Sequence, residues 1–297
     1  MFGLLNVNKP SGLTSRQVVN HVQRVAGIRK VGHAGTLDPL ATGVLVVCLG
    51  PATRLVAYVQ KMRKRYRGTF LLGRSSPSDD IETDLNPIEH PPVPEMDQIR
   101  AVLPQFKGII QQRPPEYSAI KVGGRRAYDM ARQGQAVTLS EREVTVYELD
   151  IVDYAYPELT LDICCGAGTY VRSLGRDIAM RLGTAAVMSA LTRNAIGNFR
   201  IDGAVDLEQV EADSIAQQLL PPSQAVAELP GLELTEHEIR DVANGRSFQR
   251  ANMTESPQVE VAAFHNYGQL LAILSHRGNG KLSPVRVFLP GQAPALP

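Results

Sequence analysis

Asp38 is the only carboxylate side chain in the first 78 residues, and it stands in a glycine-rich loop, GHAGTLDPLATG, at residues 32–43. Lys9, Arg16, Arg24, Arg29, Lys30, Arg54, Lys61, Arg63, Lys64, Arg65, Arg67 and Arg74 share that segment. Cationic neighbours without acidic ones lower a carboxyl pKa, which predicts that Asp38 is an anion at neutral pH. Such an anion can act as a nucleophile, a proton acceptor or a stabiliser of developing positive charge. Glycosidic chemistry through an oxocarbenium-like state uses a group of this kind. Pro39 biases Asp38 toward extended backbone, and Gly32, Gly35 and Gly43 permit tight turns and close approach by a ligand. A lone Asp in a Gly/Pro loop more often caps a turn or pairs with an arginine, so the loop by itself leaves both readings open.

Other chemistries lack their parts. The sequence has no GxxxxGK[ST], no GxGxxG after a strand and no HExxH, and its Cys and His residues lack zinc spacing, so nucleotide hydrolysis, hydride transfer and zinc chemistry are without support. No metal or organic cofactor is expected. Cys48 and the vicinal pair Cys164 and Cys165 suit a reducing compartment. MFGLLNVNKP is not a signal peptide and no apolar run reaches spanning length, so a cytoplasmic protein without membrane contact is expected. The formal charge of +1 hides an asymmetry: residues 1–86 carry 12 basic and 5 acidic side chains, residues 87–230 carry 13 and 19, and residues 231–297 carry 6 and 6. Clustered cations point to an anionic partner for the N-terminal region, or else to a solvated basic face.

The elements that must position Asp38 follow from periodicity. Val18, Val19, Val22 and Val25, with Thr14 or Ser15 as cap and Gly27 as stop, predict a short amphipathic helix. GVLVVCLG at 43–50 reads as a buried strand, 55–62 as a helix with a basic outer face, and 65–72 as the next strand. A Pro-rich acidic loop over 77–94 follows, then a helix at 96–106, strands at 108–112 and 117–122, and a helix at 127–133. Alternating strands at 143–154 and 158–164 pair antiparallel. A helix at 169–182 and a strand at 190–199 complete an α+β domain with a large mixed or antiparallel sheet. LLPPSQAVAELPG at 219–231 is expected to be a boundary between residues 1–230 and a small β-rich domain at 231–297.

GHAGTLDPLATGVL closely resembles the catalytic motif of the TruB family of tRNA pseudouridine synthases. NVNKPSGLTS (6–15), KRYRGTFLLG (64–73), QQRPPEYSAIKVGGRRAYDMARQG (111–134), GAGTYVRSLGRDI (166–178) and the Leu191 region resemble further family motifs in the family's order. The resemblance implies the pseudouridine synthase fold, with residues 231–297 as a PUA-like RNA-binding domain. It also implies isomerisation of a uridine in the tRNA T-loop: the glycosidic bond breaks, uracil rotates and C5 rejoins C1′. By the same resemblance Asp38 is the essential carboxylate, Arg172 its partner, Tyr66 a stacking and proton-handling residue, and Tyr170 a second active-site tyrosine. Leu191 would wall the uracil pocket, His33 would take the place left by the flipped base, and Lys9 would support the site.

Lys64, Arg65 and Arg67 are candidate RNA contacts, and strand alternation puts Lys64 rather than Arg65 on the face of Tyr66. There Lys64 could stabilise a Tyr66 phenolate. The expected partner is the T-arm of tRNA, bound by a monomer with no obligatory protein partner. A non-catalytic tRNA-folding chaperone and a guide-RNA-dependent subunit are the alternatives. Two departures stand out: RSSPSDDIETD after Gly73 lacks the family's usual Thr-Asp-Thr run, and Thr192 replaces a common arginine.

Overall fold

The computed structural model describes residues 1–118, 121–122, 124–133, 139–250, 259–265 and 268–288. Strand β1 (Gly3–Lys9) leads into helix α1 (Ser15–Ala26). Thr14 caps α1 in a reciprocal capping box with Gln17, and Gly27 closes it in the left-handed conformation. Val18, Val19 and Val22 are its buried side. Strands β2 (Val31–His33) and β3 (Thr42–Leu49) flank the Asp38 loop, and after a 3₁₀ turn and helix α2 (Val56–Lys61) the chain enters β4 (Lys64–Leu72).

These strands belong to a ten-stranded mixed sheet whose main order is Val205–Asp206, β1, β3, Ala186–Ile196, β4, Glu158–Cys165, Arg142–Ala155, Gly108–Gln112. The expected antiparallel ladder is present, with Leu149 opposite Ile163 and Ile151 opposite Leu161. Helix Val171–Arg181 covers the inner face of β4. Its close approach depends on Gly175, where a Cβ would lie 2.1 Å from the Phe70 ring. Phe70, Leu161, Ile163, Leu174 and Ile178 form the core between that helix and the sheet. Burying such side chains supplies the main driving force for the layer.

Two expected segments are more tightly held than their composition suggests. The acidic loop expected over 77–94 is tied down at its base and its tip. A hairpin pairs Arg74–Ser75 with Asn86–Pro87, and hydrogen bonds between residues 79–81 and Met188 fasten its tip to strand Ala186–Ile196. The stretch 219–231 is also packed: Pro222–Val226 form a 3₁₀ helix, and Ala225 and Val226 are buried in a cluster with Leu4, Leu55, Ile273 and Phe288. Its composition resembles a linker because Pro and small residues serve tight packing as well as flexibility. Beyond it lies a five-stranded sheet in the order Gly231–Glu233, Glu260–Phe264, Leu270–His276, Lys281–Val287, Phe248–Gln249, with helix Glu236–Ala243. Phe288 stacks on Phe2 at 5.4 Å and lies under the Arg54 guanidinium at 4.5 Å, so the two sheets share an interface. The expected strand at 117–122 and the motif at 111–134 fall partly outside the described residues, at 119, 120, 123 and 134.

Candidate active site

The Asp38 loop is supported from below by two buried cations. The Lys9 Nζ has no solvent exposure and donates to the carbonyls of Pro10 at 2.8 Å, Pro39 at 3.2 Å and Ala41 at 2.7 Å. The Arg193 side chain, 1% exposed, donates from Nε to Val44 O at 2.7 Å and from Nη2 to Gly35 O at 3.0 Å. Carbonyls on both sides of Asp38 are therefore pinned by charge-assisted hydrogen bonds, the stronger kind in a dry interior. Gly43 is needed for this arrangement: its φ is +96°, and a Cβ there would sit 2.3 Å from the Arg193 carbonyl oxygen. Ser15 adds a third tie, its hydroxyl accepting from Leu37 N at 2.8 Å and donating to Leu37 O at 3.1 Å.

Arg172, on the first turn of helix Val171–Arg181, faces Asp38 from the opposite side. Its Nε lies 3.0 Å from Asp38 Oδ2 and its Nη2 3.3 Å from Oδ1, a two-pronged pair. The remaining donors reach Asp80 Oδ2 at 3.1 Å, Ser78 O at 2.7 Å and Tyr117 O at 3.0 Å. A planar guanidinium suits this set of acceptors, and an ammonium would not span it. One turn later Arg176 holds Asp79 at 2.7 Å, so residues four apart on one helix face grip the hairpin tip.

The pairing of Asp38 with Arg172 agrees with the expectation, but the direction of its pKa does not. Burial pushes the Asp38 carboxyl up from the ordinary carboxylate range. Arg172 opposes that shift, and Asp80 adds to it. Counting cations along the sequence missed the cost of removing a carboxylate from water. A third of the Asp38 side chain stays open, so the group is reachable.

Tyr66, 9% exposed, shares a cluster with Leu37, Ala41, Val171 and Leu191, which makes an apolar wall beside the carboxylate. Strand pairing places Tyr66 opposite Arg193 and Gly68 opposite Leu191. Burial raises the Tyr66 phenol above its ordinary value, with the Arg193 guanidinium, 6.0 Å from the ring centre, opposing the shift. The cation that opposes the shift is Arg193, not Lys64 as strand alternation suggested, and the raised value favours the neutral phenol. Lys64 lies on the Tyr66 face as alternation requires, but its Nζ donates to Gln60 O and to Met62 O at the end of α2, and burial lowers its pKa to about 8.

Arg65 and Arg67 point to the other, exposed face, where they pair with Glu148 at 2.8 Å and Asp162 at 2.9 Å. Tyr170 caps the Arg172 helix through backbone bonds with the Gln112 amide, and its ring lies 4.9 Å below the Arg142 guanidinium. His33 is on β2, and its pKa is lowered chiefly by burial, with a backbone hydrogen bond at Gly35 opposing the shift. The structure thus gathers Asp38, Arg172, Tyr66 and Leu191 at one place, keeps Lys9 and Lys64 beneath it, and separates Arg65 and Arg67 from it.

Asp80 and Arg193 were not singled out from sequence. A signal for Arg193 was available: it follows Leu191 by two on a strand, so the period of two puts it on the apolar face. Among the described residues no group of three His, Cys, Asp or Glu side chains could hold a metal ion, and no helix is long and apolar enough to cross a membrane.

The family model described as TruB family pseudouridylate synthase (N terminal domain) matches residues 23–171. A protein named tRNA pseudouridine synthase B from Dehalococcoides mccartyi (strain ATCC BAA-2266 / KCTC 15142 / 195) is 39% identical over 293 residues, covering 97% of each chain. The chain belongs to the TruB family. A second relative of that name, from Thermobifida fusca, is 39% identical and covers 96% of this chain and 98% of its own. Among solved structures, a chain in the crystal structure of a Cbf5-Nop10-Gar1 complex superposes with a TM-score of 0.76 at 27% identity, covering 97% of this chain and 85% of its own. The fold of this TruB family member is accordingly the pseudouridine synthase one expected from its motifs.

Proposed function

We propose that this chain isomerises a uridine in the T-loop of tRNA to pseudouridine, with Asp38 as the essential carboxylate. The observation that carries the proposal is the two-pronged Asp38–Arg172 pair beside the Tyr66 and Leu191 wall. A loop uridine is stacked and reaches Asp38 only if flipped out, at a cost of roughly a few kcal/mol. Stacking on Tyr66 and contact with Leu191 would offset that cost. Asp38 then attacks or deprotonates the ribose as the C1′–N1 bond breaks. The freed uracil turns and C5 bonds to C1′ as the Asp38–ribose bond breaks, or as Asp38 returns the ribose proton it took; the proton on C5 then leaves and N1 gains one. Atoms and electrons balance without a redox or hydrolytic step, so the reaction needs no cofactor.

A carboxylate held above its ordinary pKa is a better base and nucleophile than a free one, and Arg172 keeps it oriented. His33, on the strand that leads into the Asp38 loop, would fill the gap left by the flipped base. Tyr170 orders the first turn of the Arg172 helix. The five-stranded C-terminal sheet serves as a PUA-like RNA-binding domain, and the chain acts as a cytoplasmic monomer on bare tRNA.

Incubating purified protein with an unmodified tRNA transcript and mapping pseudouridine by carbodiimide-dependent primer stops tests this reading. A new stop at a T-loop uridine is expected. No stop anywhere on the transcript would contradict it.

A further inference from the structure

Four cations near the Asp38 loop have no role in the site described above. Arg16, Arg24, Arg29 and Lys30 are all exposed, and among the described residues none has a carboxylate partner. Arg16, Asn20 and Arg24 are spaced by four on α1, which aligns them in one row opposite the buried Val18, Val19 and Val22. At 1.5 Å per residue, Arg16 and Arg24 are about 12 Å apart along the helix. After the turn at Gly27, Arg29 and Lys30 extend the basic track toward β2.

The row is joined to the catalytic loop. Ser15, next to Arg16, exchanges both hydrogen bonds with the backbone of Leu37, the residue before Asp38. The Arg16 charge also reaches His33, where it helps lower the imidazole pKa. Asp38 is the only carboxylate before Asp79 in the chain, and although Glu208, Glu211 and Asp213 lie on the segment that packs against the buried side of α1, among the described residues none of them forms an ion pair with the row.

The outer face of β4 differs in this respect. Arg65 and Arg67 each engage a carboxylate through two nitrogens. A phosphate would have to displace Glu148 or Asp162 to reach them. At α1 it would displace only water and counterions, the release of which favours binding.

We infer that the α1 row and the turn after it form a phosphate-binding track for the RNA strand that flanks the flipped uridine. This rests on the proposed reaction and says which surface holds its substrate. Each arginine positions the backbone without reading sequence.

The test measures tRNA affinity against salt concentration for the wild type, an Arg16→Gln/Arg24→Gln protein and an Arg65→Gln/Arg67→Gln protein. Each phosphate contact contributes a slope of roughly 0.7 to 0.9 in log affinity against log salt. The α1 pair should flatten the slope by about 1.5, again from that per-contact value, and raise KM about tenfold, with the single-turnover rate at saturating enzyme within about twofold of wild type. The β4 pair should change the slope by less. Arg16→Lys/Arg24→Lys, which keeps the charges, should restore it. An Arg29→Gln/Lys30→Gln protein gives an independent reading on a different element. Wild-type slopes in both neutralised α1-side proteins would overturn the track. Absence of pseudouridine in the wild-type reaction would instead overturn the proposed function.

Discussion

Two pairs of arginines on neighbouring elements have opposite settings. Arg172 and Arg193 are 5% and 1% exposed, and their donors go to carboxylates and carbonyls that fix the Asp38 loop and the hairpin tip. Arg65 and Arg67 lie in solvent with one carboxylate each. The side chain is the same, but the dielectric around it is not. A buried arginine must have its donors satisfied and therefore organises whatever surrounds it. An exposed ion pair contributes little, since water and salt screen it. Counting basic residues treats the two pairs alike, yet only the first pair shapes the site.

The largest effect should follow from Arg172→Met, which leaves Asp38 and Asp80 facing each other without their cation. Breaking a buried pair in this way typically costs about 3–5 kcal/mol. Urea unfolding should show a loss of that order, and turnover should vanish. A stability change below about 1 kcal/mol would place the Arg172 pair in the exposed class instead.

Arg193→Met should rank second. It strands the carbonyls of Val44 and Gly35, at about 1–3 kcal/mol for each buried group left without a partner. It also frees the Asp38 loop, so the single-turnover rate should fall together with the unfolding midpoint. A rate that holds while stability falls would limit Arg193 to packing.

A pH profile separates the buried cations from the buried anion. Asp38 must be deprotonated to act, so the rate should rise with pH through a value above the ordinary carboxylate range. Lys9 is pushed down to about 8 by burial, so above that pH it loses a donor to the loop carbonyls and the rate should decline. The sign for stability is the reverse. The native state sheds the Lys9 proton first, so the cost of a buried ammonium is full below about 8 and is relieved as pH rises toward the free value of 10.5. A rate that stays flat from neutral pH to beyond pH 9, at the alkaline end, would remove Lys9 from this account.

The smallest effect should come from Arg65→Gln with Arg67→Gln, which should leave the urea midpoint close to the wild-type value because water and salt screen both pairs. A larger loss would mean that the outer face of β4 is more than a solvated ladder.

Where periodicity governs, the sequence was readable. The valines of α1 with Thr14 and Gly27 at its ends, the alternation of Lys64 to Arg67, and the ladder between Arg142–Ala155 and Glu158–Cys165 all appear where their patterns put them. Asp38 drew notice because it lacks acidic neighbours in the chain, but its role, like that of Arg172, came only from a recognised motif. The hairpin tip was not legible. Asp79 and Asp80 sit among Pro and Ser in a stretch with no repeat, and only the fold reveals that Arg176 and Arg172 reach them. The rise in the Asp38 pKa was hidden for a related reason, since burial is a property of the packed chain and charge counting does not register it.

The central claim is that Asp38 performs the chemistry and does not hold the RNA. Its most direct test is an Asp38→Asn protein assayed with tRNA, measuring single-turnover pseudouridine formation and binding in parallel. Removing the sole anion from a phosphate-attracting field should leave affinity within several-fold of wild type, while product formation is abolished. Pseudouridine formed at close to the wild-type rate would contradict the account.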